Sequence, residues 1–188
     1  LRTAIRDDNP VIFLEHRWLY DIEGDVDDEQ QIPLGVAAVR RPGDALTVVC
    51  TSWMNVEALK AAEVLARRGV ELEVVDVRTI APLDGTVILE SVTKTRNCIV
   101  ADYDWVFCGF SAELAALISH RCFGVLARPV ERLGFAHVPC PTTRPLENLF
   151  YPSAVNIIRT AERMLGLEAA DLTGETFYSH EQRFKGPF

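Results

Sequence analysis

Between residues 46 and 84 the spacing of hydrophobic positions changes period twice. Leu46–Cys50 is an unbroken apolar, β-branched run behind the turn residues Pro42, Gly43 and Asp44, which reads as a buried strand. From Asn55 to Arg68 the spacing becomes helical. Asn55, Ala58, Leu59, Ala62, Leu65 and Ala66 share one face, and Glu57, Lys60, Glu63 and Arg67 share the other. Ser52 is the expected N-cap and Gly69 the expected residue just past the helix end. Val70–Val77 returns to a strand pattern. Two strands joined through one amphipathic helix form a βαβ unit with parallel strands and a right-handed crossover, which sets the class as α/β.

The flanking pattern supplies the remaining elements. Pro10–His16 is an apolar run ending in charge and reads as a strand. Residues 21–33 carry Asp21, Glu23, Asp25, Asp27, Asp28 and Glu29 with no cation among them, the composition of an exposed linker. That run lacks the glycine turn and closing glutamate of a calcium loop, so a solvated linker is the better reading than a metal site. Gly35–Arg41 is a second apolar run, too close to Leu46 for a parallel crossover. It is expected to form an antiparallel edge hairpin with the Leu46 strand. Asp84 caps a helix running to Thr95, and a strand follows over Asn97–Ala101. A loop over Asp102–Cys108 leads to a helix over Gly109–Cys122, and Val130–Leu133 is the last strand. Val138–Pro145 is proline-rich and extended. Pro152 and Ser153 open a final helix that Gly166 ends, and the tail to Phe188 has no periodicity.

Bulk properties narrow the function. A chain of 188 residues is one domain with an appendage. A net charge of −8 with no basic patch excludes nucleic acid as a partner. No apolar run approaches membrane-spanning length, which places the protein off the membrane. The five cysteines form no C-x-x-C pair, and their odd number points to a reduced, cytoplasmic protein. The chain begins at Leu1 in mid-element, as expected of a piece of a longer protein.

Candidate chemistry is sparse. No nucleophile elbow, Walker loop, H-E-x-x-H or G-x-G-x-x-G motif is present, so no catalytic, cofactor-binding or metal site is expected in this chain. Gly109 and Ser111 lead a helix N-terminus, an arrangement that suits an anion, but a tight turn with a capping serine is the preferred reading. Asp76 and Arg78 stand at the C-terminal end of a strand, where open α/β sheets place ligands. An arginine there clamps a carboxylate or phosphate, or fixes an interface with another domain or subunit; the interface is the preferred reading. His16, beside Glu15 and Arg17, is a weak acid–base candidate. His120 sits at a helix end, and His180 lies in the tail.

Six motifs in order carry a family resemblance: D-N-P-V-I-F-L-E-H from Asp8, I-P-L-G from Ile32, V-D-V-R-T-I-A-P-L-D from Val75, G-F-S-A-E from Gly109, V-P-C-P from Val138, and Tyr151-Pro152-Ser153. Together they resemble the C-terminal domain of transketolase-like proteins. Within that superfamily they are most similar to the beta subunit of the thiamine-diphosphate-dependent first component of 2-oxo acid dehydrogenases, the pyruvate dehydrogenase beta-subunit family. Two positions depart from the pattern. Ser111 replaces a glycine, and His137 stands where relatives have aspartate.

The resemblance implies a three-layer α/β domain with a five-stranded mixed sheet, four strands parallel and one antiparallel at an edge. It divides the chain into 1–22, the tail of an upstream pyrimidine-binding domain; 23–33, the acidic linker; 34–165, the transketolase-like domain; and 166–188, a C-terminal tail. It implies no cofactor in this fragment, with thiamine diphosphate and magnesium held elsewhere in the parent enzyme. Implied partners are an alpha subunit or the upstream domains, a second beta copy, and the lipoyl acyltransferase core. Asp76, Arg78, Phe150 and Tyr151 are the expected interface residues. The alternatives are the same domain of a transketolase or deoxyxylulose phosphate synthase, or a stand-alone anion-binding module.

Overall fold

Five strands form one sheet in the order β1-β3-β2-β4-β5, in a computed structural model that describes residues 1–27 and 30–177. The strands are β1 (Ala38–Arg41), β2 (Leu46–Cys50), β3 (Leu72–Asp76), β4 (Cys98–Trp105) and β5 (Glu131–Phe135). A short helix α1 (Arg2–Ile5) opens the chain, and the others are α2 (Met54–Ala66), α3 (Gly85–Thr95), α4 (Phe110–Arg121), α5 (Arg144–Phe150) and α6 (Ala154–Leu165). β2, β3, β4 and β5 are mutually parallel and β1 is antiparallel to β3, the mixed sheet the motifs imply.

Alternation along each strand splits the core into two layers. Leu46, Val48 and Cys50 of β2, Leu72 and Val74 of β3, and Ile99 and Ala101 of β4 face α2 and α6. Val49, Val75, Cys98 and Val100 face α3 and α4. Both faces are covered, which is why all five residues of β2 are buried and its sequence shows no polar alternation.

The edge hairpin does not form. β1 pairs with β3, not with β2, so the connection at residues 42–45 passes around the start of β3. Asp44 and Ala45 both donate backbone N–H groups to the Glu71 carbonyl, at 3.1 and 3.0 Å. Gly43 lies so close that a Cβ there would stand 2.3 Å from the Leu72 carbonyl carbon. The short spacing rightly excluded a parallel partner, but a third strand is inserted between the two.

Other expectations also change. Pro10–His16 forms no strand, because no neighbouring backbone pairs with it; Ile12 is 88% exposed. β4 runs to Trp105, absorbing most of the loop expected from Asp102. The last two residues of the proline-rich stretch Val138–Pro145 are helical, opening α5 (Arg144–Phe150). Glu57 is buried rather than on the solvent face of α2. Ser52 is not a cap. It takes φ +46°, and α2 starts after Trp53 with no side-chain cap. Asp84 does cap α3, through Thr86 N–H at 3.0 Å. Ser153 opens α6 in a capping box with Asn156, and Gly166 closes it at φ +70°.

The tail from Gly166 to Phe177 crosses α2 as a strap. Arg68 binds Glu162 and the Glu168 carbonyl, Arg67 and Lys60 bind Glu175, and Leu172 and Phe177 pack on the α2–α6 side of the core. The tail aromatics Tyr178, Phe184 and Phe188 lie outside the described residues. No helix among the described residues is long and apolar enough to cross a membrane.

Candidate functional site

The connection leaving β2 runs to the α2 face, while those leaving its neighbours β3 and β4 run to the α3–α4 face. The chain therefore parts on both sides of β2 at the C-terminal ends of the strands, where open α/β sheets form crevices. Hydrogen bonds span both. On one side Asn55 Nδ2 donates to Asp76 Oδ1 at 3.0 Å, and Arg78 Nε donates to Asp76 Oδ2 at 3.2 Å. On the other, the Thr51 hydroxyl donates to Asp102 Oδ1, which also accepts Tyr103 N–H at 2.9 Å. Burial raises the Asp102 carboxyl above its ordinary value, and Thr51 and the Tyr103 N–H offset that in part.

Asp76 and Arg78, expected only to project to the same side of the strand, bond each other within this chain. Arg78 is not an extended residue two positions along a strand; it takes φ +60°, and that turn brings its guanidinium back to Asp76. Behind the pair, Cys50 Sγ donates to Asn55 Oδ1 at 3.2 Å. This relay ties Arg78 to the sheet through its Nε. Ser52, Arg78 and Cys108 have positive φ without being glycine, and each follows a strand on this same edge. Strain of this kind persists only where surrounding contacts over-determine the backbone.

Beside the crevices lies an aromatic cup that the sequence did not reveal. His16 stacks on Trp53 at 5.9 Å and meets the edges of Tyr103 at 5.1 Å and Trp18 at 5.3 Å. Tyr151 stacks on Tyr103 at 5.2 Å, and Phe135 stacks on Phe150 at 4.8 Å. Under the cup, Glu57 Oε1 accepts Trp53 Nε1–H at 3.0 Å and Oε2 accepts Ala154 N–H at 2.8 Å. Burial raises the Glu57 carboxyl, and these two bonds only partly counter it. His16 and Tyr151 come together here with Phe150 at the margin, whereas Asp76 and Arg78 belong to the neighbouring crevice.

Phe150, expected on an interface, is buried within this chain at 4% exposure against Phe135 and Trp105. The exposed apolar groups nearby are Leu146, Leu149, Trp105 and Phe107. Gly109 is the N-cap of α4, and Ser111 is buried without capping it. A Cβ on Gly109 would fall 1.9 Å from the Trp105 carbonyl oxygen and 2.9 Å from Asp104 Oδ2. A resident carboxylate therefore already faces this helix end, and the donors do not fit a diphosphate. His137 contacts Phe107 at 5.1 Å. Among the described residues no three His, Cys, Asp or Glu side chains converge as a metal site. The missed residues Trp18, Trp53 and Tyr103 had one signal: each stands two or three residues beyond the end of an apolar run.

Comparison with known proteins identifies this arrangement. The profile of the transketolase C-terminal domain matches residues 35–157. Over 169 residues the chain is 38% identical to the mitochondrial pyruvate dehydrogenase E1 component subunit beta of Dictyostelium discoideum, covering 87% of this chain and 48% of that protein. It is 41% identical over 163 residues to the corresponding subunit of Rickettsia bellii, covering 86% and 50%. It is 39% identical to the acetoin:2,6-dichlorophenolindophenol oxidoreductase subunit beta of Cupriavidus necator, covering 86% and 48%. The chain spans about half the length of these curated relatives. A solved split-gene transketolase, an inactive beta4 tetramer, shares the fold at a TM-score of 0.64 and 22% identity, over 79% of this chain and 48% of that one. The sheet order and these matches agree: the chain belongs to the transketolase C-terminal domain family.

Proposed function

We propose that this chain is the assembly domain of the beta subunit of a 2-oxo acid dehydrogenase first component. In this reading the parent enzyme decarboxylates a 2-oxo acid and acylates a lipoyl group. The observation that supports it is the run of about 40% identity to pyruvate dehydrogenase E1 beta subunits through 86–87% of the chain. Thiamine diphosphate with magnesium supplies the carbanion chemistry in such an enzyme. At the Gly109-led start of α4, where Asp104 already stands, the residues do not fit the diphosphate of that cofactor, and in this reading its site lies in the upstream domain and the alpha subunit.

The role left to this chain is association. Arg78, steadied by Asp76, presents a guanidinium suited to a partner carboxylate. Leu146 and Leu149, with the half-buried Tyr151 beside them, offer apolar surface to a second beta copy or to the acyltransferase core. Residues 1–22 join an upstream domain in this reading, which fits the exposed side chains of Val11–Leu14. Five free thiols support a reducing, cytoplasmic location.

The acetoin relative favours one further reading, in which the parent enzyme cleaves acetoin instead. The deciding experiment expresses the complete beta reading frame with its alpha partner and assays acceptor reduction with pyruvate, branched 2-oxo acids, acetoin and sugar phosphates. Turnover of a 2-oxo acid is expected. Turnover of acetoin alone selects the second reading, and turnover of sugar phosphates alone overturns both.

A further inference from the structure

His16 is held in a way that only its neutral form satisfies. It precedes the 3₁₀ turn Arg17–Asp21 and accepts Trp18 N–H on Nδ1 at 3.4 Å. Nδ1 therefore carries no proton, and the ring hydrogen sits on Nε2. The ring lies on Trp53, at the start of α2, and against Tyr103 of β4. Trp18 follows it into the cup, against Trp53, Tyr103 and Tyr151. One imidazole thus joins the segment before residue 22 to two core elements.

We infer that His16 is a pH-sensitive latch. Neutral, it seats residues 16–21 in the cup of Trp53, Tyr103 and Tyr151. Protonated, it loses its acceptor role in the turn and leaves the cup, freeing the stretch that carries the exposed run Val11–Leu14 to change its orientation.

Among the described residues, the charged and titratable groups around the ring come from four places. From α2, Glu57 lies behind Trp53 with both oxygens already engaged. From β4, Tyr103 is neutral, its phenol raised far above the ordinary value by burial, and Asp102 is bound to Thr51. After α5, Tyr151 shares a hydrogen bond with Cys140 that, with burial, pushes its phenol up to about 12. From the segment itself, Glu15 accepts the Tyr20 hydroxyl and Arg17 is exposed. Glu57 and the face of Trp53 favour an imidazolium. Burial and the lost Nδ1 acceptor oppose it, and burial holds the imidazole below its ordinary 6.5. Because the docked value is the lower one, docking is complete above pH 6.5. It weakens as the pH falls below that, through the docked value.

The test is imidazole ¹⁵N NMR on the full chain, with amide hydrogen exchange of residues 17–22 between pH 5 and 8. The expected result is an Nε2–H tautomer titrating below 6.5. Amide protection, corrected for intrinsic rates, should fall on the acid side by about tenfold for each unit by which docking lowers the imidazole value. His16→Asn retains an acceptor without titrating, so its protection should not vary with pH; His16→Ala should lose protection throughout. Protection of β2 and α2 amides serves as the control for folding. A midpoint at or above 6.5, or the same pH dependence in His16→Asn as in the native chain, overturns the latch.

Discussion

The carboxylate of Asp84 accepts the backbone N–H of Ala37 at 3.0 Å, joining the approach to β1 to the start of α3. Its other oxygen accepts Thr86 N–H, also at 3.0 Å. Thr79 adds a second tie, its hydroxyl accepting Gly35 N–H at 3.0 Å. The Thr79–Asp84 motif is thus a clamp that holds the edge strand. Asp84→Ala should lose both bonds, a cost of about 2–3 kcal/mol. Asp84→Asn keeps the cap oxygen but offers Ala37 an amide nitrogen, and should cost about half as much. Denaturant midpoints at constant slope check both. A loss under about 0.5 kcal/mol for alanine would remove the clamp.

Two buried glutamates should oppose each other in the acid stability profile. Glu57 is 2% exposed, and burial raises its carboxyl above 4.5, so the folded state holds its proton more tightly than the unfolded chain. Its contribution is greatest at acid pH and declines as the pH rises from 4.5 through the folded value. For Glu162 burial also acts upward, but Arg159, the Ala170 N–H and Arg68 outweigh it and hold the carboxyl below 4.5. Its contribution is complete above 4.5 and lost as the pH falls through the folded value. Glu57→Gln should therefore relieve the decline above pH 4.5, and Glu162→Gln should flatten the loss below it. Equal pH slopes in both variants and the native chain would contradict this pairing.

Glycine matters for different reasons at two turns. Gly43→Ala forces a methyl into the backbone of Leu72 and Glu73 and should cost about 3 kcal/mol. Gly69 has φ +75° with open space around it, so Gly69→Ala meets only the left-handed penalty, about 1 kcal/mol. Thermal midpoints of the two variants should rank in that order. The reverse order would mean that the turn after β1 yields easily.

Self-association should appear in sedimentation as a concentration-dependent shift from 21.0 kDa toward twice that mass. A specific symmetric contact covers about 800 Å² on each partner. Leu149, at 79% exposure, belongs to the apolar surface available for it. Leu149→Asp should weaken association about tenfold or more, by burying a charge. A 21.0 kDa species unchanged by dilution would exclude the dimer.

The βαβ unit was legible because β2, α2 and β3 each carry an uninterrupted period. The caps Asp84, Ser153 and Gly166 were legible because capping chemistry is local. The partner of β1 was not, since strand order depends on which backbone reaches an edge rather than on any local pattern. Glu57 was misplaced because a charged residue at helical spacing looks like surface until Trp53 and Ala154 are seen to satisfy it. Pro10–His16 shows the converse, a strand-like run with no strand beside it. Asp76 and Arg78 could be placed together at the end of β3, but their mutual bond depends on the left-handed turn at Arg78, which no local pattern announced. The aromatic cup could not be anticipated, because its rings come from residues 16, 18, 53, 103 and 151.

The pairing of β1 with β3 has a consequence for the chain as it is made. Ala38 lies opposite Asp76, so β1 leaves the ribosome well before the backbone it will pair with has emerged. During that interval its apolar side chains and open edge are available to wrong partners, and only the completed β2–α2–β3 unit supplies the right one. Nascent chains arrested shortly before β3 emerges should expose β1 to protease, and chains arrested after α3 emerges should protect it. Protection at the shorter length would mean that β1 first rests elsewhere and changes partner as translation proceeds.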